Sequence, residues 1–243
     1  MIPALIIDRL SARTPEEREL AFRSVALHPV ACNNWAAEYP YAPQVGFRIF
    51  HDGERLYLRF EVRESCTRAL VEQDNGEVWT DSCVEFFLTL DEGEGENEGE
   101  NEGEKKRKEE KEDDKEDKKG ETGYYNFECS CAGRLLLAFR KRKPEPEYAP
   151  PETMRSIERI PSLGSACFAE REGDNRWTLT LAIPAAALFR HRLRSWSGVE
   201  ARMNLYKCGD GLSRPHFLSW MPVEAPAPDF HRPECFRTVK FNR

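Results

Sequence analysis

Apolar and polar residues alternate over short stretches along most of this chain, and Pro, Gly and Asn punctuate the stretches. A period of two buries one face of an extended segment, so the pattern predicts an antiparallel all-β domain. The clearest stretches are 45–50, 55–62, 82–90, 124–131, 134–139, 176–183, 199–206 and 236–241. Between the first two lies His51-Asp52-Gly53-Glu54, and Asp-Gly is a favoured hairpin dipeptide. Helical periodicity is scarce. Thr14 and Glu17 have capping-box spacing with Pro15 at the first helical position, which predicts one short helix starting there. A further helical turn or two is expected after Pro184, from Ala185 to Leu188.

The alternation stops at residues 91–122, where Glu-Gly and Asn-Glu-Gly units give way to mixed Lys and Glu. With no aromatic and no β-branched residue before Thr122, this segment cannot bury enough apolar surface to offset its ordering entropy. It is expected to be a disordered charged insert in one hairpin. A solvated helix over 105–119 is the structural alternative, and an interaction tail or ion-binding segment the functional one.

The insert also changes the charge picture. Its 16 acidic and 8 basic residues give it −8, so a chain of net charge −7 leaves +1 for the rest. A near-neutral remainder gives no electrostatic reason to expect nucleic acid or a membrane surface as partner. No apolar run approaches the length of a membrane span. Removing the 32 insert residues from 243 leaves 211, suited to one sandwich or barrel. The expectation is therefore a single domain over 1–243, monomeric, interrupted at 91–122. Residues 1–10, MIPALIIDRL, have no basic lead and no cleavage site, and for a complete gene product that points to the cytoplasm. The eight cysteines lack paired CxxC spacings, which argues against a zinc site. Most are expected to be buried thiols and not a disulfide framework.

Candidate chemistry comes from the hairpin that flanks the insert. On 82–90 the apolar set is Val84, Phe86, Leu88 and Leu90; on 124–131 it is Tyr125, Phe127, Cys129 and Cys131. Placing Leu90 opposite Gly123 puts both sets on one face, as a buried sheet requires. The same register sets Glu85 opposite Glu128, Asn126 opposite Phe87, and Ser130 opposite Cys83. Like charges opposed across a strand pair are destabilising, so Glu85 and Glu128 need a counter-charge, a shared proton or a ligand with hydroxyl donors. Two readings stay open: a ligand site, or a structural ion cluster neutralised by Arg48, Arg59 or Arg202. Two aromatics also need explaining. Trp79 sits in a polar turn, and Phe230 lies in the Pro-rich loop 222–233 with Asp229, His231 and Arg232, a loop expected to run over the surface. Trp177 and Trp196 read as packing residues, whereas Trp35 and Trp220 fit either role.

Three groups of residues resemble a family 9 carbohydrate-binding module, specifically its family-9-like branch. They are Val78-Trp79-Thr80-Asp81-Ser82-Cys83-Val84-Glu85-Phe86-Phe87, then Tyr124-Tyr125-Asn126-Phe127-Glu128, then a C-terminal block. That block runs through Asn204-Leu205-Tyr206-Lys207-Cys208-Gly209-Asp210, Leu218-Ser219-Trp220 and Pro228-Asp229-Phe230-His231-Arg232-Pro233-Glu234-Cys235-Phe236. The resemblance covers nearly the whole chain except the insert. It implies a jelly-roll β-sandwich and non-catalytic binding of an oligosaccharide or polysaccharide, typically a glucan or xylan chain end held between aromatic rings, in the service of glycan degradation. The family is usually secreted. Trp79 and Glu85 match one aromatic platform and one hydroxyl-binding carboxylate of that slot. Phe230 stands where a second platform is expected to be Trp, and Glu128 where binders usually present Arg. Asn126 completes the polar edge. Some relatives bind calcium, for which Asp81 and Asp210 are the candidates here, without an EF-hand ligand series.

Other classes remain to be separated. A glycosidase would use Glu85 and Glu128 as its pair, since direct opposition holds their backbones about 5 Å apart. A haem domain would draw axial ligands from His28, His51, His191, His216, His231, Met154, Met203 or Met221, with no attachment motif present. A sandwich whose sugar site has decayed would bind no sugar at all.

Overall fold

The computed structural model describes residues 2–90 and 123–243. The insert expected at 91–122, with its disorder and its helical alternative, lies outside the described residues. Among the described residues the strands form two sheets, of nine and five strands. The larger contains β1 (Leu5–Ile7), β3 (Cys32–Asn33), β6 (Cys83–Leu90), β7 (Tyr124–Ser130), β8 (Leu135–Arg140), β9 (Pro146–Tyr148), β12 (Glu200–Cys208), β13 (Phe217–Ser219) and β14 (Arg237–Phe241). The smaller contains β2 (His28–Pro29), β4 (Gln44–His51), β5 (Arg55–Ala69), β10 (Glu158–Pro161) and β11 (Phe168–Pro184), in the order β10-β11-β5-β4-β2. All pairs are antiparallel except β1 with β14. The fold is a β-sandwich of jelly-roll type.

Each of the eight predicted stretches falls on a strand. Two of those strands run much further than their alternation. β5 and β11 continue to pair as far as Ala69 and Phe168, across register shifts near Arg171 and Asn175. The added part of β11, Phe168 to Asn175, is mostly exposed and charged, so no apolar period marks it. Edge strands β2, β9 and β10 each contain Pro, as fits strands with one unpaired side.

The helix predicted at Thr14 is α1 (Pro15–Ser24), with the Thr14 hydroxyl accepting from the Glu17 amide at 3.2 Å. The Glu17 carboxylate closes the cap one residue early, accepting from the Arg13 amide at 2.8 Å and the Ser11 hydroxyl at 2.7 Å. The turn expected after Pro184 is a single 3-10 turn at Ala185–Ala187. α1 covers the outer face of the smaller sheet, where Phe22 meets Phe50 edge-on at 4.9 Å.

Side-chain parity decides what each face of the larger sheet does. Val84, Phe86, Leu88, Tyr125, Phe127, Cys129, Met203 and Leu205 point inward onto Phe47, Leu58, Phe60 and Leu179 of the smaller sheet. Trp177, Trp196 and Trp220 pack in this same core. Lys207 shares the inward parity and is fully buried, paired with Glu64 of β5 at 2.9 Å. The pair is tolerated because its surroundings complete it: Trp177 Nε1 and Thr67 Oγ1 donate to Glu64, and the Lys207 ammonium donates to His216 Nε2 at 2.7 Å. Burial holds His216 neutral, with its pKa lowered to about 2.

The opposite parity, Cys83, Phe87, Tyr124, Tyr206 and Cys208, points away from the sandwich and is still buried. It is roofed by Trp35, Val78, Val223, Phe230 and Phe236 from the connecting loops. Loop 222–233 thus runs over the outer face of the sheet as expected, but it inserts Phe230, only 8% exposed, beneath itself. All eight cysteines are free thiols, five of them buried.

Candidate functional site

The roof over the outer face is incomplete, and a cavity of about 540 Å³ opens where it fails. Its walls include Trp79, Glu85, Glu128, Arg140, Asp210 and Phe230. A hollow of similar size, about 530 Å³, lies on the smaller sheet beside Glu61, Arg63 and Arg176. There the charges are already paired, Glu61 with Arg48 and both Arg63 and Arg176 with Asp174. In the first cavity Lys143 pairs with Asp229, but Glu85, Glu128 and Asp210 have no ion-pair partner among the described residues.

The register inferred from parity is the observed one: Glu85 lies opposite Glu128, Phe87 opposite Asn126 and Cys83 opposite Ser130. Both glutamates are 4% exposed. The Cys208 thiol donates to Glu85 Oε1 at 3.0 Å, and Asn126 Nδ2 donates to Glu128 Oε1 at 2.9 Å. Burial, reinforced by the Glu128 charge, raises Glu85 well above the ordinary carboxylate range. Burial likewise pushes Glu128 up to about 7, against the opposing pull of Asn126 and Arg140. Asp210 at the rim rises to about 6 for the same first reason. At neutral pH the pair therefore keeps a proton, the second of the three remedies its register demands.

None of the arginines nominated as counter-charge supplies it. Arg48 and Arg59 sit on the other sheet, paired with Glu61 and Glu19, and Arg202 Nη1 donates to Pro233 O. Arg140 takes that place, because β8 pairs with β7 and sets Arg140 opposite Tyr124. Its Nε donates to Asn126 Oδ1 at 3.1 Å, and it also holds the Lys143 carbonyl. Lys143 in turn pairs with Asp229 at 2.7 Å. Asn126 is thus fully buried behind the wall, a positioner of Glu128 and Arg140.

The two aromatics are held differently. Trp79 sits in the 3-10 turn Val78–Thr80, anchored by fully buried Val78. Its carbonyl accepts from the Asp210 amide at 3.1 Å, so the turn and residues 209–211 move as one unit. Asp81, 0% exposed, locks that unit. One oxygen accepts from the Leu70 and Val71 amides at 2.8 and 2.9 Å, the other from Arg68 Nε at 3.2 Å, and Arg68 reaches on to the Thr80 and Gly211 carbonyls. Phe230 stacks on Tyr206, centroids 4.2 Å apart and planes 13° off parallel, while the Tyr206 hydroxyl donates to the Phe230 carbonyl. Trp35 and Phe217 back it from the side. His231 Nδ1 meets the Tyr124 hydroxyl at 2.9 Å, and burial lowers that histidine to about 3, so it stays neutral.

Four of the five candidate binding residues, Trp79, Glu85, Glu128 and Phe230, thus share one cavity, with Asn126 directly behind. The calcium candidates do not converge. Both Asp81 oxygens are spent on Arg68 and backbone amides, and Asp210 bonds the Cys208 thiol, so these two residues do not form a calcium site together. Sequence reasoning missed Arg140 and Cys208. Extending the strand pairing one hairpin further would have found Arg140, and strand parity on 199–206 points to Cys208.

Comparison with known proteins gives concordant results. Residues 15–98 and 116–241 match the sequence model of the family described as carbohydrate-binding family 9. A candidate carbohydrate-binding protein from Bacteroides uniformis ATCC 8492 has a similar crystal structure. It is 33% identical, with a TM-score of 0.81 over 98% of this chain and 99% of that one. A family 9 carbohydrate-binding module from Caldicellulosiruptor kristjanssonii, solved with cellotriose, gives a TM-score of 0.50 over 99% of this chain and 94% of that one. The same organism's module with glucose gives 0.51 over 99% and 97%. Both are 9% identical and attest the fold. No curated protein matches the chain significantly.

Proposed function

The chain belongs to carbohydrate-binding family 9, and from that premise we propose that the cavity beside Trp79 binds the terminal sugar of a glucan- or xylan-type chain without cleaving it. A pyranose offers apolar C–H faces and a rim of hydroxyls, and is met by flat rings and by carboxylates with unspent lone pairs. Trp79 and Phe230 supply the rings; Glu85, Glu128 and Asp210 supply the oxygens.

The observation that carries the reading is the pairing of those two aromatics with two carboxylates that are almost wholly buried yet face an open cavity of 540 Å³. Each is bonded on one oxygen only, Glu85 to a thiol and Glu128 to an amide. Leaving such groups without donors costs free energy that sugar hydroxyls would recover. Phe230, whose one face is occupied by Tyr206, can offer only the other, which suits a single terminal ring better than a chain threaded through. The ligands of the Caldicellulosiruptor modules, cellotriose and glucose, are the chemistry to try first.

Calorimetric titration with glucose, xylose, cellobiose and xylobiose tests this. Saturable heat is expected from at least one of the four, with no sugar released from the disaccharides. Flat titrations throughout would sink the proposal, and release of monosaccharide abolished by Glu85→Gln would make the carboxylate pair catalytic.

A further inference from the structure

We propose that Cys83, Glu85 and Cys208 form a binding site for a thiophilic divalent cation of the zinc class, on the floor of the same cavity.

The site is built by strand pairing. β6 and β12 are antiparallel with Cys83 opposite Cys208, and the two-residue period of β6 puts Glu85 on the same face as Cys83. Each residue offers one ligand atom, two sulfurs and a carboxylate oxygen, all within 4.8 Å of one another. Tetrahedral zinc with Zn–S bonds of about 2.3 Å holds two sulfurs roughly 3.8 Å apart, and a sulfur and an oxygen roughly 3.6 Å apart. The donors therefore stand close to the spacing of one coordination sphere with small rotamer adjustments. Among the described residues this is the one cluster of three such side chains. Sulfur donors select a borderline-soft cation and reject calcium and magnesium.

A second observation points to a ligand. Glu85 is 4% exposed and accepts a single hydrogen bond, from the Cys208 thiol, one of the weakest donors a protein has. Its other oxygen has no donor among the described residues. That free oxygen opens on the cavity, where a cation held by the two thiols could take it as a third ligand. Zinc would have three protein ligands and one position open toward the cavity, within reach of the Asp210 carboxylate or of solvent. The remaining cysteines do not compete: Cys129 and Cys131 belong to the sandwich core, and none of Cys32, Cys66, Cys167 and Cys235 joins a group of three such side chains among the described residues.

Binding displaces protons. Burial raises both thiols, Cys83 to about 11 and Cys208 well above its ordinary value. Each thiol must release its proton to solvent as the metal–sulfur bond forms, and Glu85 must leave the proton it shares with Glu128 on that partner or release it too, so affinity falls as pH is lowered. The assignment does not rest on the sugar reading, and its test uses the metal alone.

The reduced, metal-stripped full chain is titrated with Cd²⁺ and then Zn²⁺, without sugar. A sulfur-to-cadmium charge-transfer band is expected to saturate at one equivalent, to disappear on Zn²⁺ addition, and to be lost in Cys83→Ser and in Cys208→Ser while Cys167→Ser keeps it. If a serine variant does not fold, Glu85→Gln decides: it keeps the side-chain size and should weaken Cd²⁺ binding at least tenfold. Absence of the band in the wild type, its survival in both serine variants, or unchanged affinity in Glu85→Gln would each overturn the site.

Discussion

Glu128→Gln makes the energetics of the opposed carboxylates measurable. Folding takes Glu128 from an ordinary 4.5 to about 7, so between those values the folded state binds more protons than the unfolded one. Stability changes with pH in proportion to protons bound in the unfolded state minus those bound in the folded state, and that difference is negative here. The Glu128 charge therefore costs nothing below about pH 4.5 and becomes progressively destabilising as pH rises through 7. At about 1.4 kcal/mol per pH unit, the cost reaches about 3 kcal/mol at pH 8. Glutamine keeps the bond from Asn126 Nδ2 and removes the charge. The variant should then match the wild type at pH 4.5 and melt roughly 6–12 °C higher at pH 8, given about 2–4 °C per kcal/mol for a chain of this size. Thermal melts followed by circular dichroism at pH 4.5, 6 and 8 provide the comparison. The difference between the two proteins is the readout, because His216 and His231, lowered to about 2 and 3, contribute the opposite slope to both. A difference that stays flat across this range, or a variant less stable at pH 8, would show that burial does not hold the proton on Glu128.

Two further outcomes follow from the scaffold. Asp81→Ala breaks a buried ion pair and frees two amides, and should cost about 3–5 kcal/mol in urea unfolding; a loss under about 1 kcal/mol would show that the turn carrying Trp79 is held by other means. Replacing residues 91–122 with Asn-Gly should move the melting temperature by less than about 2 °C and leave sugar titrations unchanged, because Leu88 already faces Tyr125 and Thr89 Oγ1 donates to the Gly123 carbonyl at 2.9 Å. Loss of sugar binding in that variant would mean that the segment reaches the site.

What the sequence revealed of this site depended on periodicity. The register of β6 against β7, and with it the opposition of Glu85 and Glu128, followed from parity because each strand has one strictly apolar face. The counter-charge did not follow. Arg48, Arg59 and Arg202 were as plausible on the page as Arg140, and only the order of strands in the sheet separates them. The far half of β11 gave no signal because it is exposed and polar on both faces, and that of β5 gave none because its buried positions include Glu64 and Thr67. Phe230 was legible as an unusual loop aromatic but not as a ring stacked on Tyr206, a contact between residues 24 positions apart that no local pattern encodes. The thiol pair was hidden for a related reason: metal-ligand spacing is recognisable within a turn, whereas Cys83 and Cys208 meet across two strands.

The central claim, that this family 9 domain binds a sugar at the Trp79 cavity, is tested most directly by titrating the wild type and Trp79→Ala with whichever of glucose, xylose, cellobiose or xylobiose the wild type binds. Trp79 is anchored through its backbone and its neighbour Val78, so truncating the indole should leave the thermal transition in place. Loss of one stacked aromatic face is worth about 1.5–3 kcal/mol, hence at least a tenfold weaker affinity. That loss in a protein that still melts cooperatively is the predicted result; sugar binding at wild-type affinity in Trp79→Ala would contradict the account.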